Sequence, residues 1–483
     1  MSSTVLEVTE QTMIPSRHPE TVIIAGGGLA GLAAGCALAD TGYRVTIYER
    51  RPYLGGRASS YEHPGTGEVV DNCQHVLLGC CTNLVDFYNR LGVADKIRWY
   101  DKLTFIEPGG RIATIGPSWL PAPFHATPAF LRNTLLDNAD KLGIARAMLS
   151  LMEGMPRESS DSFLEWLHKR GQTQRAIDRF WAPVLISALN EDLDRISVRY
   201  AALVFRESFL KSPQAGRMGL PTVPLSELYD SAASYIRERG GEVRLRSSVE
   251  GIRPETTRVR VKTADGDTEA DLAIVALPFN VVSQILPETV SSNVLRELVG
   301  NFQPSPITGI HFWFDREICE LDHAVLLDRT IQWMFHKSRL LSGRTSPGGP
   351  LAAGSHIELV VSSSKSLVTK SRNEIMDLAL RELAEFFPAV KEARVMKSTV
   401  IKEVYATFSP SPGSDAYRPL PLSPWPRVFL SGDWTATGWP ATMEGAVRAG
   451  YASAEALCAT ISNPRKFLVP DMKPAGLMRF FPA

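Results

Sequence analysis

The 483-residue sequence predicts an α/β fold, with a discontinuous Rossmann-like domain interrupted by an inserted helical and mixed-sheet domain. Three observations predict it. A strand, glycine turn, helix and second strand open at Thr21 and end on an acid, Glu49. Strand and helix signals of the same type return after Leu225 and again after Val428. Between these pieces lie stretches of helical periodicity and a separate set of strands.

Val22, Ile23 and Ile24 form a short run of β-formers, as a buried parallel strand requires. Gly26, Gly28 and Gly31 follow as G-x-G-x-x-G, with Leu29 and Ala30 opening the helix. In such a turn the first glycine permits the bend, the second lets a pyrophosphate approach the backbone, and the third lets helix and strand pack closely. The helix N-terminus adds unpaired N–H groups and a positive dipole end. Thr41-Gly42 ends the helix, Arg44 to Tyr48 form the next strand, and Glu49 stands where a carboxylate accepts from ribose hydroxyls. Arg50 and the Gly55-Gly56-Arg57 turn follow directly, placing a guanidinium by the same phosphates.

From about Asp101 the nucleotide-fold pattern stops. Residues 129–155 and 162–189 have helical periodicity with an apolar stripe. A helix at 225–239, a strand at 242–245, a meander over 258–270 and a buried strand at 271–277 resume the first domain. Residues 305–314, 355–362 and 397–405 read as strands of a second sheet, and 371–387 as a helix. Val428 to Ser431 form a last buried strand with Gly432-Asp433 at its carboxyl end, and a helix opens near Thr442. Ligands of open α/β sheets sit at that edge.

Composition narrows the function. Hydrophobic residues make up 44% and charged residues 22%, and Lys+Arg and Asp+Glu both number 52. A balanced charge gives no general affinity for nucleic acid. The cysteines, Cys36, Cys73, Cys80, Cys81, Cys319 and Cys458, form no C-x-x-C pair or zinc spacing, so no metal site and a reducing, cytoplasmic compartment are expected. The first twenty residues lack a signal-peptide pattern and read as a disordered leader. The tail from Lys466 mixes Phe467, Leu468, Phe480 and Phe481 with Lys473 and Arg479, which suits peripheral contact with the inner membrane face.

The two ends together resemble the FAD-dependent amine oxidase and phytoene desaturase superfamily. Asp71 to Gly79 (DNCQHVLLG) and Ser431 to Gly450 (SGDWTATGWPATMEGAVRAG) are similar to its squalene-associated desaturase-like group. The resemblance implies non-covalent FAD, bound by residues 21–100, 221–285 and 421–465, with a substrate domain at 101–220 and 286–420 and a tail at 466–483. It places Gly26, Gly28 and Gly31 at the pyrophosphate, Glu49 at the ribose, and Gly55, Gly56 and Arg57 by the phosphates and flavin. It places the Val249 backbone at the adenine end, Gly432 and Asp433 near the ribityl chain, and Thr442, Met443, Glu444 and Gly445 under the flavin. The implied reaction is reductive dehydroxylation of hydroxysqualene to squalene, with hydride from the reduced flavin. His75 is the expected proton donor, with Asp71 and Glu444 as weaker candidates, and the apolar helical insertion is expected to enclose the triterpene. A carotenoid-type desaturase or isomerase, and a non-catalytic isoprenoid carrier, are the alternatives. The electron donor is left open.

Overall fold

The computed structural model describes residues 21–156, 159–341 and 354–482, so the expected leader lies outside the described residues. Its first sheet is five-stranded. Thr21–Ala25 lies at the centre, with Arg44–Glu49 and then Glu242–Leu245 on one side, and Leu272–Val275 and then Val428–Leu430 on the other. Every pairing is parallel. Apolar strands buried on both faces need helices as cover. Leu29–Ala39 is buried along its whole length, and Met443–Thr460 crosses it closely where a side chain at Gly450 would run into the Ala30 carbonyl. Leu225–Glu238 buries Leu228, Tyr229, Ala232 and Ile236 against the same core. A three-stranded antiparallel meander, Val249–Pro254, Val259–Thr263 and Gly266–Ala270, hangs from the sheet edge.

A second, seven-stranded sheet runs in the order Val395–Phe408, Pro304–Phe314, Ser355–Ser362, Trp333–His336, His323–Leu326, Leu103–Ile106 and Ile112–Ile115. The last four strands are not foreseen from sequence; Leu103–Ile106, for one, is recruited by a parallel partner far along the chain, His323–Leu326. Segments Leu77–Leu78, Met218–Pro221 and Ile97–Tyr100 form a small three-stranded sheet.

The helical insertion packs on itself. Trp181 is fully buried, with ring centroids 4.8 Å from Phe205 and 5.0 Å from Phe180, and its Nε1 donates to Gln172 Oε1 at 2.9 Å. The apolar stripe expected to enclose a hydrocarbon is therefore this lobe's own core at its centre. The π-helical segments Ile177–Trp181 and Phe205–Leu210 carry these three rings.

The tail is not a free anchor. Val469 exchanges backbone bonds with the Asn83 side chain, its N–H donating at 2.9 Å and its carbonyl accepting at 3.1 Å. Further on, the Ala475 N–H donates to Lys211 O, the Leu477 N–H donates to Ala122 O, and Met478 is buried in the helical lobe. Phe467 packs on the core of the first domain. A chain whose backbone groups are satisfied this way is a seam along the protein. Among the described residues, no helix is long and apolar enough to cross a membrane.

Candidate active site

The glycine turn is shaped by two constraints. Gly26 has φ +111°, and a side chain there would meet the Ala276 carbonyl at 2.5 Å, so the protein itself demands glycine. Gly28 is different. Its backbone is extended (φ −77°, ψ 175°), and a Cβ would find only Gly56 Cα, at 3.8 Å. Among the described residues nothing crowds that Cβ, so the open space before the backbone is what the glycine preserves. Gly28 is also the helix N-cap and offers no side-chain acceptor to the first-turn N–H groups of Leu29, Ala30 and Gly31. A cradle of this shape, with unpaired donors on a helix N-terminus, fits a pyrophosphate.

Neighbouring segments frame that space. Gly55 N–H donates to Gly27 O at 2.9 Å, joining the two glycine turns. The buried Glu49 carboxylate accepts from Gly27 N–H and Arg51 N–H, each at 2.8 Å. A carboxylate has about four acceptor sites, so capacity remains for ribose hydroxyls. Arg50 beside it is exposed. The approach to Val249 crosses the same strand end, where Ser247 N–H donates to Glu49 O at 3.0 Å. Arg57 bridges to the far side of the site, donating to Asp433 Oδ1 at 2.7 Å and to Ala406 O at 2.8 Å. Gly432 holds φ +147° and a Cβ would strike the Trp434 indole, so the turn presenting Asp433 is fixed. Thr442 Oγ1 accepts from Gly445 N–H at 3.1 Å and caps the last helix, while Tyr229 donates to Met443 Sδ at 3.7 Å.

Of the three acid–base candidates, two are already engaged elsewhere. Glu444 is buried and accepts from Asn83 N–H (3.2 Å), Asn83 Nδ2 (3.1 Å), Leu84 N–H (2.7 Å) and Arg448 Nε (2.6 Å). It caps the helix Thr82–Arg90, whose own N-cap, Cys81, makes no side-chain cap bond. A carboxylate so occupied is structural. Glu444→Ala would strand those buried donors and is expected to cost about 3 kcal/mol of stability, read as a lower unfolding midpoint of the protein stripped of flavin. Asp71 is likewise no proton donor. Burial alone pushes its carboxyl up, but Lys337 Nζ at 2.6 Å and Ser60 Oγ at 2.5 Å outweigh that and hold it below the ordinary carboxylate range.

His75 remains. Its Nδ1 lies 2.7 Å from Cys73 O, an acceptor only, so Nδ1 carries the proton and Nε2 presents a lone pair. Burial depresses its pKa below the usual histidine value, against the opposing pull of the Cys73 carbonyl and Asp71. The ring expected to donate a proton is thus built as an acceptor at neutral pH. Asn72 beside it donates to Arg57 O and to Glu403 Oε2, both at 3.2 Å, which ties this segment to the cofactor-side arginine. Two further groups, Lys337 and Glu358, stand behind it unforeseen. An acid in the middle of the apolar strand SHIELVVS was the available signal for Glu358. The lysine had none.

The profile of the flavin containing amine oxidoreductase family matches residues 29–458. The chain belongs to that family. FAD is its cofactor, in keeping with the Gly28 cradle, and it is an FAD-dependent oxidoreductase. The 15-cis-phytoene desaturase of Synechococcus elongatus is 28% identical over 465 residues, covering 91% of this chain and 96% of the relative. The chloroplastic/chromoplastic 15-cis-phytoene desaturase of Arabidopsis thaliana is 27% identical over 478 residues, covering 93% of this chain and 82% of that one. Among solved structures, an oxidoreductase from Methanosarcina mazei superposes with a TM-score of 0.68 at 18% identity, covering 89% of this chain and 98% of the other. That last likeness shows the family's fold.

Proposed function

We propose that this chain acts on a long linear isoprenoid and desaturates a phytoene-type polyene. The relatives support the substrate class, and one geometric observation supports the direction: His75 holds its proton on Nδ1 against Cys73 O, which makes Nε2 the accepting nitrogen. Desaturation takes two hydrogens from adjacent carbons, one with its electron pair and one as a proton. Bound FAD supplies the two-electron redox chemistry. His75 Nε2 accepts the proton, while Nδ1–H on Cys73 O keeps the ring in the accepting tautomer. Arg57 and Asp433 hold the two sides of the cofactor space together.

Reductive dehydroxylation of hydroxysqualene is the second reading. The Asp71–Gly79 and Ser431–Gly450 motifs favour it, and so does a carboxyl near Asp71, Glu358, that burial pushes up to about 7 and that can hold a proton. The two readings run in opposite redox directions. Oxidised, FAD-loaded protein given 15-cis-phytoene is expected to yield a product two hydrogens lighter. Anaerobically reduced protein given hydroxysqualene is expected to leave it unchanged. Squalene from the second incubation and no desaturation in the first would reverse the assignment. Turnover of neither would favour a non-catalytic isoprenoid carrier.

A lipid substrate calls for access to a membrane surface. We place that contact on the helical lobe, where Trp119 (89% exposed), Leu131 (60%) and Phe480 (83%) stand out. Leu142 and Leu149, two turns apart on one helix, are also exposed. The tail reaches this lobe through the Leu477–Ala122 backbone bond. Intact protein is expected to sediment with anionic liposomes, and Trp119→Ser with Phe480→Ser to weaken this roughly tenfold or more. Equal sedimentation of the double variant would remove this face from consideration.

A further inference from the structure

Lys337 is 2% exposed. A buried ammonium costs several kcal/mol unless it is paired and hydrogen-bonded. It opens the short helix Lys337–Leu340, after the strand Trp333–His336 of the large sheet. Its partners are Asp71 Oδ2 at 2.6 Å, Gln74 Oε1 at 2.7 Å and Glu358 Oε2 at 3.5 Å. Two of the three belong to the segment that carries His75. Gln74 Nε2 in turn donates to His75 O at 3.1 Å. The ammonium therefore grips both ends of a short turn whose Cys73 carbonyl takes the His75 Nδ1 proton.

We propose that Lys337 is a positioning residue for His75: by holding Asp71 and Gln74 it fixes the turn that sets the ring's tautomer. The proposal rests on the reading of His75 as the site's proton acceptor. The charge count supports it. One ammonium faces two carboxylates, and Asp71 takes the close contact, with Ser60 Oγ as its second donor. Glu358 is fully buried, and Lys337 Nζ stands off from its Oε2 at 3.5 Å. Of the two carboxyls it is the one that takes up a proton first, because burial pushes its pKa up to about 7. The neighbouring histidines add no charge. His311 Nδ1 lies 3.2 Å from His356 Nε2, and burial depresses both, His311 to about 3. The charged groups acting on His75 are thus Asp71, which favours its protonation, and Lys337 and Arg57, which oppose it.

The two sides of the ion pair should consequently move His75 in opposite directions. FAD-loaded protein carrying 15N-histidine is titrated by NMR without substrate, with the His75 signal assigned by its loss in His75→Asn. Wild type is expected to show a protonated Nδ1, an unprotonated Nε2 and a midpoint below that of free histidine. Lys337→Gln is expected to raise the midpoint by about one pH unit and to mix the tautomers. Asp71→Asn is expected to lower it, and Lys337→Arg to return it toward wild type. If Lys337→Gln alone does not fold, Lys337→Gln with Glu358→Gln, which leaves a single hydrogen-bonded carboxylate, is read in the same way. Shifts of the same sign in the Lys337 and Asp71 variants, or no shift in either, would overturn the proposal and leave Lys337 a structural cation. Because no substrate is present, that outcome is separate from whether the enzyme desaturates a polyene.

Discussion

Gly28→Val is expected to give a folded but colourless protein. The substituted Cβ would meet only Gly56 Cα, at 3.8 Å, so the fold tolerates it, while the branched side chain fills the space before the helix N-terminus. Loss of backbone approach to the pyrophosphate should weaken FAD binding at least ~100-fold, equivalent to about 2.8 kcal/mol. Flavin-to-protein absorbance after gel filtration reads the first effect, and thermal unfolding of the flavin-free protein reads the second. Gly26→Val is the contrast. There the new side chain strikes the Ala276 carbonyl and sits in the left-handed region, so the fold itself should suffer. A Gly28→Val protein that keeps its full complement of FAD would remove this turn from the cofactor site.

His75→Ala should leave FAD in place and slow turnover about a hundredfold or more, the usual contribution of a positioned base. Its pH dependence carries the sign. The useful form is the neutral ring, and burial holds its pKa below the ordinary histidine value. Activity is therefore present at neutral pH and lost only as pH falls through that depressed pKa. The acid limb should vanish in His75→Ala. An unchanged limb in the variant, or turnover equal to wild type, would assign the proton to another group.

The cofactor half of the molecule was legible because its signals are local. A β-run, a glycine turn and a helix occupy consecutive residues from Val22 to Ala39, and the parallel sheet follows from their burial. The site's acid–base roles were less so. The family resemblance places Asp71, His75 and Glu444 near a flavin, yet their roles depend on partners remote in the chain. Lys337 takes Asp71, and Asn83 and Leu84 take Glu444. Only His75 is set by its own neighbour, the Cys73 carbonyl. The tail illustrates the same limit. Its mixture of Phe, Lys and Arg reads as an interfacial anchor, and the backbone bonds that also strap it to the protein come from Asn83, Ala122 and Lys211, remote in the chain.

The position of Val428–Leu430 at one edge of the parallel sheet bears on how the protein is made. Synthesis delivers the chain from its N-terminus, so the outer edge of Leu272–Val275 stays unpaired until the final strand emerges. An exposed parallel edge is a template for wrong pairing, and closing it across so long a loop is slow. The helical lobe, by contrast, draws most of its core from one continuous stretch and can condense early. The nascent enzyme therefore passes through a period in which one lobe is formed and the cofactor sheet is open. Emergence of Val428–Leu430, rather than the arrival of FAD, sets the earliest moment at which the parallel sheet is complete.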